Sequence, residues 1–432
     1  MQPCTDAPKM VDFNVTEAGI PRCFPWRKRE MSSDSNNLRL PVAPLKIAAL
    51  ESCRELAEKV NAHLVRMRSE DSETAGDRAQ SLHYRGYDAD NFLLDIHCSR
   101  FGTGEGKGSI NESVRGSDLY VMVDVTNYSL TYKVDGNTNH MSPDDHFQDL
   151  KRIIGAGVMT AHRVNVIMPF LYEGRQHRRT GRESLDCATM LMELEKMGIS
   201  NFITFDAHDP RVQNSIPLTG FDNFMPTYQF IKTCFNSIPD MKLNKDSLMI
   251  ISPDEGAMDR AIYVANIMGV DIGMFYKRRN YYKVVNERNP IVAHEFLGAS
   301  VAGKDVMVID DMISSGESML DTARDLKKRG AKRVIVCATF GLFTNGLDSF
   351  RKSHAAGTID YVCTTNLTYR VPELLTEPWY LEADMSGYLA YIINSLNSDA
   401  PIGDTISSTQ KINEFLANLG NDGYEYFGSV VD

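Results

Sequence analysis

Two adjacent carboxylates, Asp310 and Asp311, stand at the end of the apolar run Val306-Met307-Val308-Ile309, and the segment Ser314-Ser315-Gly316 follows them. Beyond it Met319, Leu320, Ala323 and Leu326 recur at helical spacing, with Lys327, Lys328 and Arg329 in the last turn and Gly330 as the stop. Strand, acidic pair, small-residue loop and helix start form the kind of crevice in which an open α/β sheet binds ligands. The amides and dipole of the helix N-terminus suit an anion. Two carboxylates would repel a bare phosphate, so the ligand must also bring hydroxyls or a metal ion. A sugar phosphate with vicinal hydroxyls meets both demands. Asp310 and Asp311 would take the hydroxyls, and Ser314, Ser315, Gly316 and Ser318 the phosphate. The acidic pair alone would be read equally well as a helix cap; the serine–glycine loop attached to it favours a ligand site.

The apolar run reads as a strand buried on both faces. Similar runs predict strands at 47–50, 119–125, 164–170, 201–205, 248–251, 271–275 and 333–339. Helical spacing predicts helices at 53–64, 147–157, 184–197 and 387–396. This alternation implies an α/β fold of two tandem domains, each a mostly parallel sheet flanked by helices. Asp206-Ala207-His208 follows a strand in the first half as Asp310-Asp311 does in the second, so the chain looks duplicated. The expected organisation is an extension at 1–45, rich in proline, then domains at 46–226 and 227–385 and a helix and tail at 386–432. Residues 66–90, polar and mixed, read as an insertion.

With 432 residues the chain has room for two proper cores. A net charge of -11, with no dense Lys/Arg run, argues against nucleic acid as a partner. The eight cysteines show neither C-x-x-C pairs nor metal-finger spacing, which suits free thiols in a reducing cytoplasm. No apolar run reaches transmembrane length, and the first thirty residues lack a signal-peptide core.

Further motifs follow in order. Arg100-Phe101-Gly102-Thr103-Gly104-Glu105 is followed four residues later by Ile110-Asn111-Glu112-Ser113-Val114-Arg115-Gly116. Glycine content alone would make this a hairpin, and the spacing is wrong for a nucleotide P-loop because Lys107 precedes Gly108 rather than Ser or Thr. Then come Arg175-Gln176, Asp206-Ala207-His208, Ser252-Pro253-Asp254-Glu255-Gly256 and Lys277-Arg278-Arg279. The Asp310 segment resembles the phosphoribosyl-pyrophosphate motif of type I phosphoribosyltransferase-fold proteins. The whole set, spanning about 46–396, closely resembles class I ribose-phosphate pyrophosphokinases.

That resemblance implies two phosphoribosyltransferase-like domains and a pyrophosphoryl transfer from ATP to ribose 5-phosphate. It implies ATP-binding roles for Phe101, Thr103, Glu105, Arg175 and Gln176, and catalytic roles for Lys277 and Arg279, with a mobile loop at 281–290. His208 and Asp254 would hold Mg²⁺, and the second-domain loop, Asp310 to Ser318, would hold ribose 5-phosphate. A cytoplasmic homo-oligomer, a hexamer in the family, is implied as well. Thr103, His177, Ser314 and Glu317 depart from the family's usual residues. Two other readings stay open: a catalytically silent regulatory paralogue, and a salvage phosphoribosyltransferase, which would leave the first-domain motifs unexplained.

Overall fold

The structure is a computed structural model that describes residues 40–74, 79–279, 291–402, 412–413 and 415–416. The expected extension therefore lies almost wholly outside the described residues, and so does the loop at 281–290. The first lobe opens with β1 (Leu45–Ala49), α1 (Arg54–Thr74) and α2 (Ala79–Tyr84). A hairpin of β2 (Ile96–Arg100) and β3 (Gly106–Ile110) precedes β4 (Asp118–Met122), and a second joins β5 (Thr131–Val134) to β6 (Asn137–His140). Then follow α3 (Pro143–Gly157), β7 (Arg163–Ile167), α4 (Asp186–Lys196), β8 (Asn201–Phe205) and β9 (Gly220–Phe224). Strands β1-β4-β7-β8-β9 form one sheet, and every neighbouring pair in it is parallel.

The second lobe begins at α5 (Thr227–Ser237), then β10 (Leu248–Ser252), α6 (Met258–Met268), β11 (Asp271–Arg279) and β12 (Ile291–Leu297). It continues with β13 (Asp305–Ile313), α7 (Glu317–Lys328), β14 (Arg333–Gly341) and α8 (Asp348–Ala355). Strands β15 (Tyr361–Thr365) and β16 (Tyr380–Ala383) and helix α9 (Ser386–Asn397) complete it. The sheet order is β12-β11-β10-β13-β14-β15-β16, parallel throughout except for the antiparallel pair β11–β12. The expected α/β architecture of two largely parallel sheets is what the chain adopts.

Local signals explain the helix ends. Ser142 and Asp145 form a reciprocal capping box on α3 with Pro143 in its first turn, which satisfies amides that the helix cannot. Helix α9 is apolar along most of its length because it is buried between lobes. Its Leu389, Ala390, Ile392 and Ile393 pack with Leu56, Val60 and Leu64 of α1 against one face of the first sheet.

Within 66–90 the described residues form the end of α1 and helix α2. Arg68 is 1% exposed, donates 2.8 Å hydrogen bonds to Asn394 and Asn397 of α9, and stacks over Tyr87 and Phe92. This buried cation explains why α1 runs ten residues beyond the expected Leu64. A polar sequence here hides a helix whose partners lie more than three hundred residues away.

Candidate active site

Strand β13 extends past the apolar run, so Asp310 and Asp311 lie inside it, with Asp310 opposite Ala338 and Met312 opposite Phe340 of β14. Asp311 is buried, and its Oδ2 lies 2.5 Å from Nδ1 of His208 in the first lobe and 3.8 Å from Nη2 of Arg260 in the second. Asp310 keeps partial solvent access, and one of its oxygens accepts the Asp311 amide at 2.9 Å. Burial and the nearby charges of Asp311 and Asp254 push the Asp310 carboxyl well above its ordinary range. Burial acts the same way on Asp311, but the His208 bond and the Arg260 charge outweigh it and hold that carboxyl low.

The first lobe meets this pair through Asp206-Ala207-His208, just past β8. Asp206 has φ +40, a left-handed conformation that costs a non-glycine residue about 1–3 kcal/mol unless its surroundings enforce it. Here they do. Its amide donates to Phe224 O, its carboxylate accepts from Nε of Arg260 and from Thr339 Oγ1 (2.6 Å), and the Ala207 amide donates to Asn223 Oδ1. Arg260 belongs to α6 and Thr339 to β14, so second-lobe residues fix the backbone that presents His208. The bond to Asp311 raises the His208 pKa, against the opposing effect of burial. It also occupies Nδ1 and leaves Nε2 without a protein partner among the described residues. A carboxylate holding one ring nitrogen while the other is free is the usual support of a metal-binding histidine.

Asp254 follows β10 in a tight turn, where Oδ1 accepts the Gly256 amide at 3.0 Å and Ser252 Oγ donates to the Asp254 carbonyl. His208 therefore converges on Asp311, and Asp254 acts on Asp310, at the carboxyl ends of parallel strands. Imidazole nitrogen and carboxylate oxygens are donors that Mg²⁺ accepts.

The loop Ser314–Ser318 turns β13 into α7. Gly316 has φ +84, and a Cβ there would lie 2.4 Å from the Phe350 ring. Ser314 and Ser315 are half-buried, Ser318 is exposed, and Glu317 points to solvent as the first residue of α7. An acid in that position complements the helix dipole and need not confront a phosphate. The N-cap residue of α7 is Gly316, which has no side chain to cap the helix. Gly316→Ala should destabilise the fold by about 2–4 kcal/mol through backbone strain and overpacking. Urea unfolding of the variant checks this; an unshifted midpoint would mean that Phe350 moves freely aside.

Arg175 lies across the lobe boundary. Its guanidinium rests on the Met312 sulfur, a weak acceptor that leaves its charge available. It lines a cavity of about 570 Å³ together with Ser314, Phe170, Tyr172, Phe343 and Tyr369. Gln176 instead braces its own loop, donating to the carbonyls of Arg178 and Ser184. His177 lies 3.6 Å from Asp209, and its buried Nδ1 lacks a partner among the described residues. Phe101, Thr103 and Glu105 occupy the tip of the β2–β3 hairpin. Arg100 anchors that hairpin to α3 by donating two hydrogen bonds to the Asp149 carboxylate (2.8 Å each), and Gly106 and Gly108 allow Arg152 to pack against it. Phe101 is 56% exposed, and none of the three lines either cavity that Arg175 lines. Lys277 and Arg279 end β11, paired with His294 and Ile291, with a register shift between Arg278 and Arg279; their side chains lie outside the description.

Comparison with known proteins adds a second line. Residues 45–198 match the N-terminal domain of ribose phosphate pyrophosphokinase, and residues 229–366 match the phosphoribosyl transferase domain. The chain belongs to the ribose-phosphate pyrophosphokinase family. Among its relatives, the ribose-phosphate pyrophosphokinase of Vibrio cholerae is 28% identical over 318 residues, covering 72% of this chain and 90% of its own length. The ribose-phosphate pyrophosphokinase of Aquifex aeolicus is 27% identical over 256 residues, covering 58% of this chain and 73% of its own. The fold is similar to that of phosphoribosylpyrophosphate synthetase from Mycobacterium smegmatis, with a TM-score of 0.62, 21% identity and coverage of 82% and 99% of the two chains.

Two residues of this candidate site escape sequence reasoning, Arg260 and Thr339, and Asp206 is read there within its motif without a role of its own. Asp206 had a signal, as a charged residue directly after a buried strand and two before His208. Arg260 and Thr339 had none, because their partner is on the other lobe.

Proposed function

We infer that this protein is a ribose-phosphate diphosphokinase, converting ATP and ribose 5-phosphate to phosphoribosyl pyrophosphate and AMP. The contact between His208 and Asp311 carries the reading, because it joins the motif expected to face ATP to the motif expected to face the sugar. The anomeric hydroxyl attacks the β-phosphorus in line, a new P–O bond forms, the bond to the oxygen bridging the α- and β-phosphates breaks, and AMP leaves. The hydroxyl proton departs as the new bond forms. Such chemistry asks the protein for positioning and charge neutralisation.

In this reading Asp310 accepts from the ribose hydroxyls, and its partial exposure suits that task. The amides and hydroxyls of Ser314–Ser318 take the 5-phosphate at the start of α7. Asp311 orients His208, and Arg175 projects its charge beside Ser314. Lys277 and Arg279, at the end of β11, meet the transferring group. His208 and Asp254 would hold Mg²⁺, which neutralises the triphosphate when bound. Phe101, Thr103 and Glu105, exposed and away from Arg175, suit an ATP surface completed by a second copy of the chain, so a homo-oligomer is part of the proposal, as are a cytoplasmic location and a division between domains near 226. None of the described helices is long and apolar enough to cross a membrane.

Ribose 5-phosphate should exceed free ribose in kcat/KM by on the order of a thousandfold or more, because two or three charge-assisted hydrogen bonds are lost with the phosphate. Near-equal use of ribose would remove Ser314–Ser318 from the role. His208→Ala and Asp254→Ala should each shift the Mg²⁺ titration of activity to higher concentration in a folded protein. Superimposable titrations would dismiss them as ligands.

A further inference from the structure

Away from the active site, three cysteines meet in the core of the second lobe. Cys234 comes from α5, Cys337 from β14 and Cys363 from β15, and the last two are directly opposite one another in the parallel pairing of those strands. All three are fully buried, the Cys234 and Cys337 sulfurs lie 3.8 Å apart, and all three sulfurs fall within 4.8 Å of one another. Buried cysteines commonly pack as small hydrophobes. Three converging sulfurs on three separate elements also make a ligand set. Bonds of about 2.3 Å from each sulfur to a common centre put the sulfurs about 4 Å apart around a planar centre and about 3.4 Å apart around a pyramidal one. The 3.8 Å between Cys234 and Cys337 lies between these two values, and Cys363 is within 4.8 Å of both.

Charge decides what fits. The surroundings are apolar, with Phe230, Ile231, Ile335 and Ala383 in the same cluster, and no charged side chain acts on any of the three thiols. Three thiolates around Zn²⁺ would leave a net negative charge in this core, and around Cu⁺ two, with nothing to offset the desolvation. Zn²⁺ also favours a fourth ligand that no described His, Asp or Glu supplies.

We propose that Cys234, Cys337 and Cys363 form a closed three-sulfur site for a trivalent thiophilic centre of the arsenite class. Arsenous acid exchanges its three hydroxyls for three thiols. Three As–O and three S–H bonds break, three As–S bonds form and three waters leave, with no change in oxidation state. The adduct is neutral, which the apolar core tolerates. Entry waits on local opening of the helix over the sheet, so loading is slow and its rate saturates with arsenite.

The test incubates the intact reduced protein with arsenite and follows mass under native conditions together with the thiols that remain after denaturation. One arsenic per chain with loss of three thiols is expected. Cys363→Ala should lower tight retention at least a hundredfold, and Cys98→Ala, at a half-buried cysteine of the β2–β3 hairpin, should leave it unchanged. Should Cys363→Ala fail to fold, Cys234→Ala serves the same purpose. Loss of only two thiols, equal retention in the Cys363 and Cys98 variants, or a folded wild type that takes up no arsenic would overturn the proposal. So would Zn²⁺ held by the same cysteines against arsenite.

Discussion

Lys277→Ala and Arg279→Ala should each lower kcat about a hundredfold while leaving the KM values for ATP and ribose 5-phosphate within a few-fold. Both residues stand at the end of β11, where the strand leaves its regular pairing with β12 and the chain enters 281–290. In the proposed reaction a cation at such a place would meet the triphosphate as charge redistributes, and a donor of that kind is worth on the order of 3 kcal/mol in the transition state. Steady-state kinetics on folded variants separates this from simple substrate binding. A raised KM with unchanged kcat would turn the pair into ground-state anion contacts.

Arg260→Ala should have the largest effect on stability, about 3–5 kcal/mol, because it strands a buried carboxylate. The Arg260 side chain is 12% exposed and the Asp206 side chain 3%, and Thr339 would remain as the only described hydrogen-bond donor to that carboxylate. Activity should fall with stability, since Asp206 shapes the backbone that offers His208 and Arg260 also lies near Asp311. Thr339→Val, which removes one neutral donor, should cost only about 1–2 kcal/mol. Urea unfolding of both variants tests the ranking. Equal and small losses would mean that the network between the lobes contributes little.

How far the sequence could be read follows from where its signals are local. Strands buried on both faces announce themselves as apolar runs, and β8 was bounded correctly at Asn201 and Phe205. The same logic stopped β13 at Ile309, because carboxylates interrupt an apolar pattern without interrupting backbone pairing; β14 carries it to Ile313. Hairpin β5–β6 was missed although Asp135-Gly136 stands between its strands, with both residues at positive φ, a strong local hairpin signal. Other features had no local signal. Arg68 looks like any surface arginine until Asn394 and Asn397 are set beside it, and Arg260 like any residue in the first turn of a helix until Asp206 crosses from the other lobe. The Asp310 loop was legible because its chemistry is contiguous, whereas the clamp that orients His208 is assembled from both lobes.

The most direct test of the account is a product assay with purified protein, Mg²⁺ and ATP, with and without ribose 5-phosphate. AMP and phosphoribosyl pyrophosphate should appear together, one for one, only when ribose 5-phosphate is present. AMP released without the sugar phosphate, or no AMP from folded protein in its presence, would contradict the assignment of pyrophosphoryl transfer to this site.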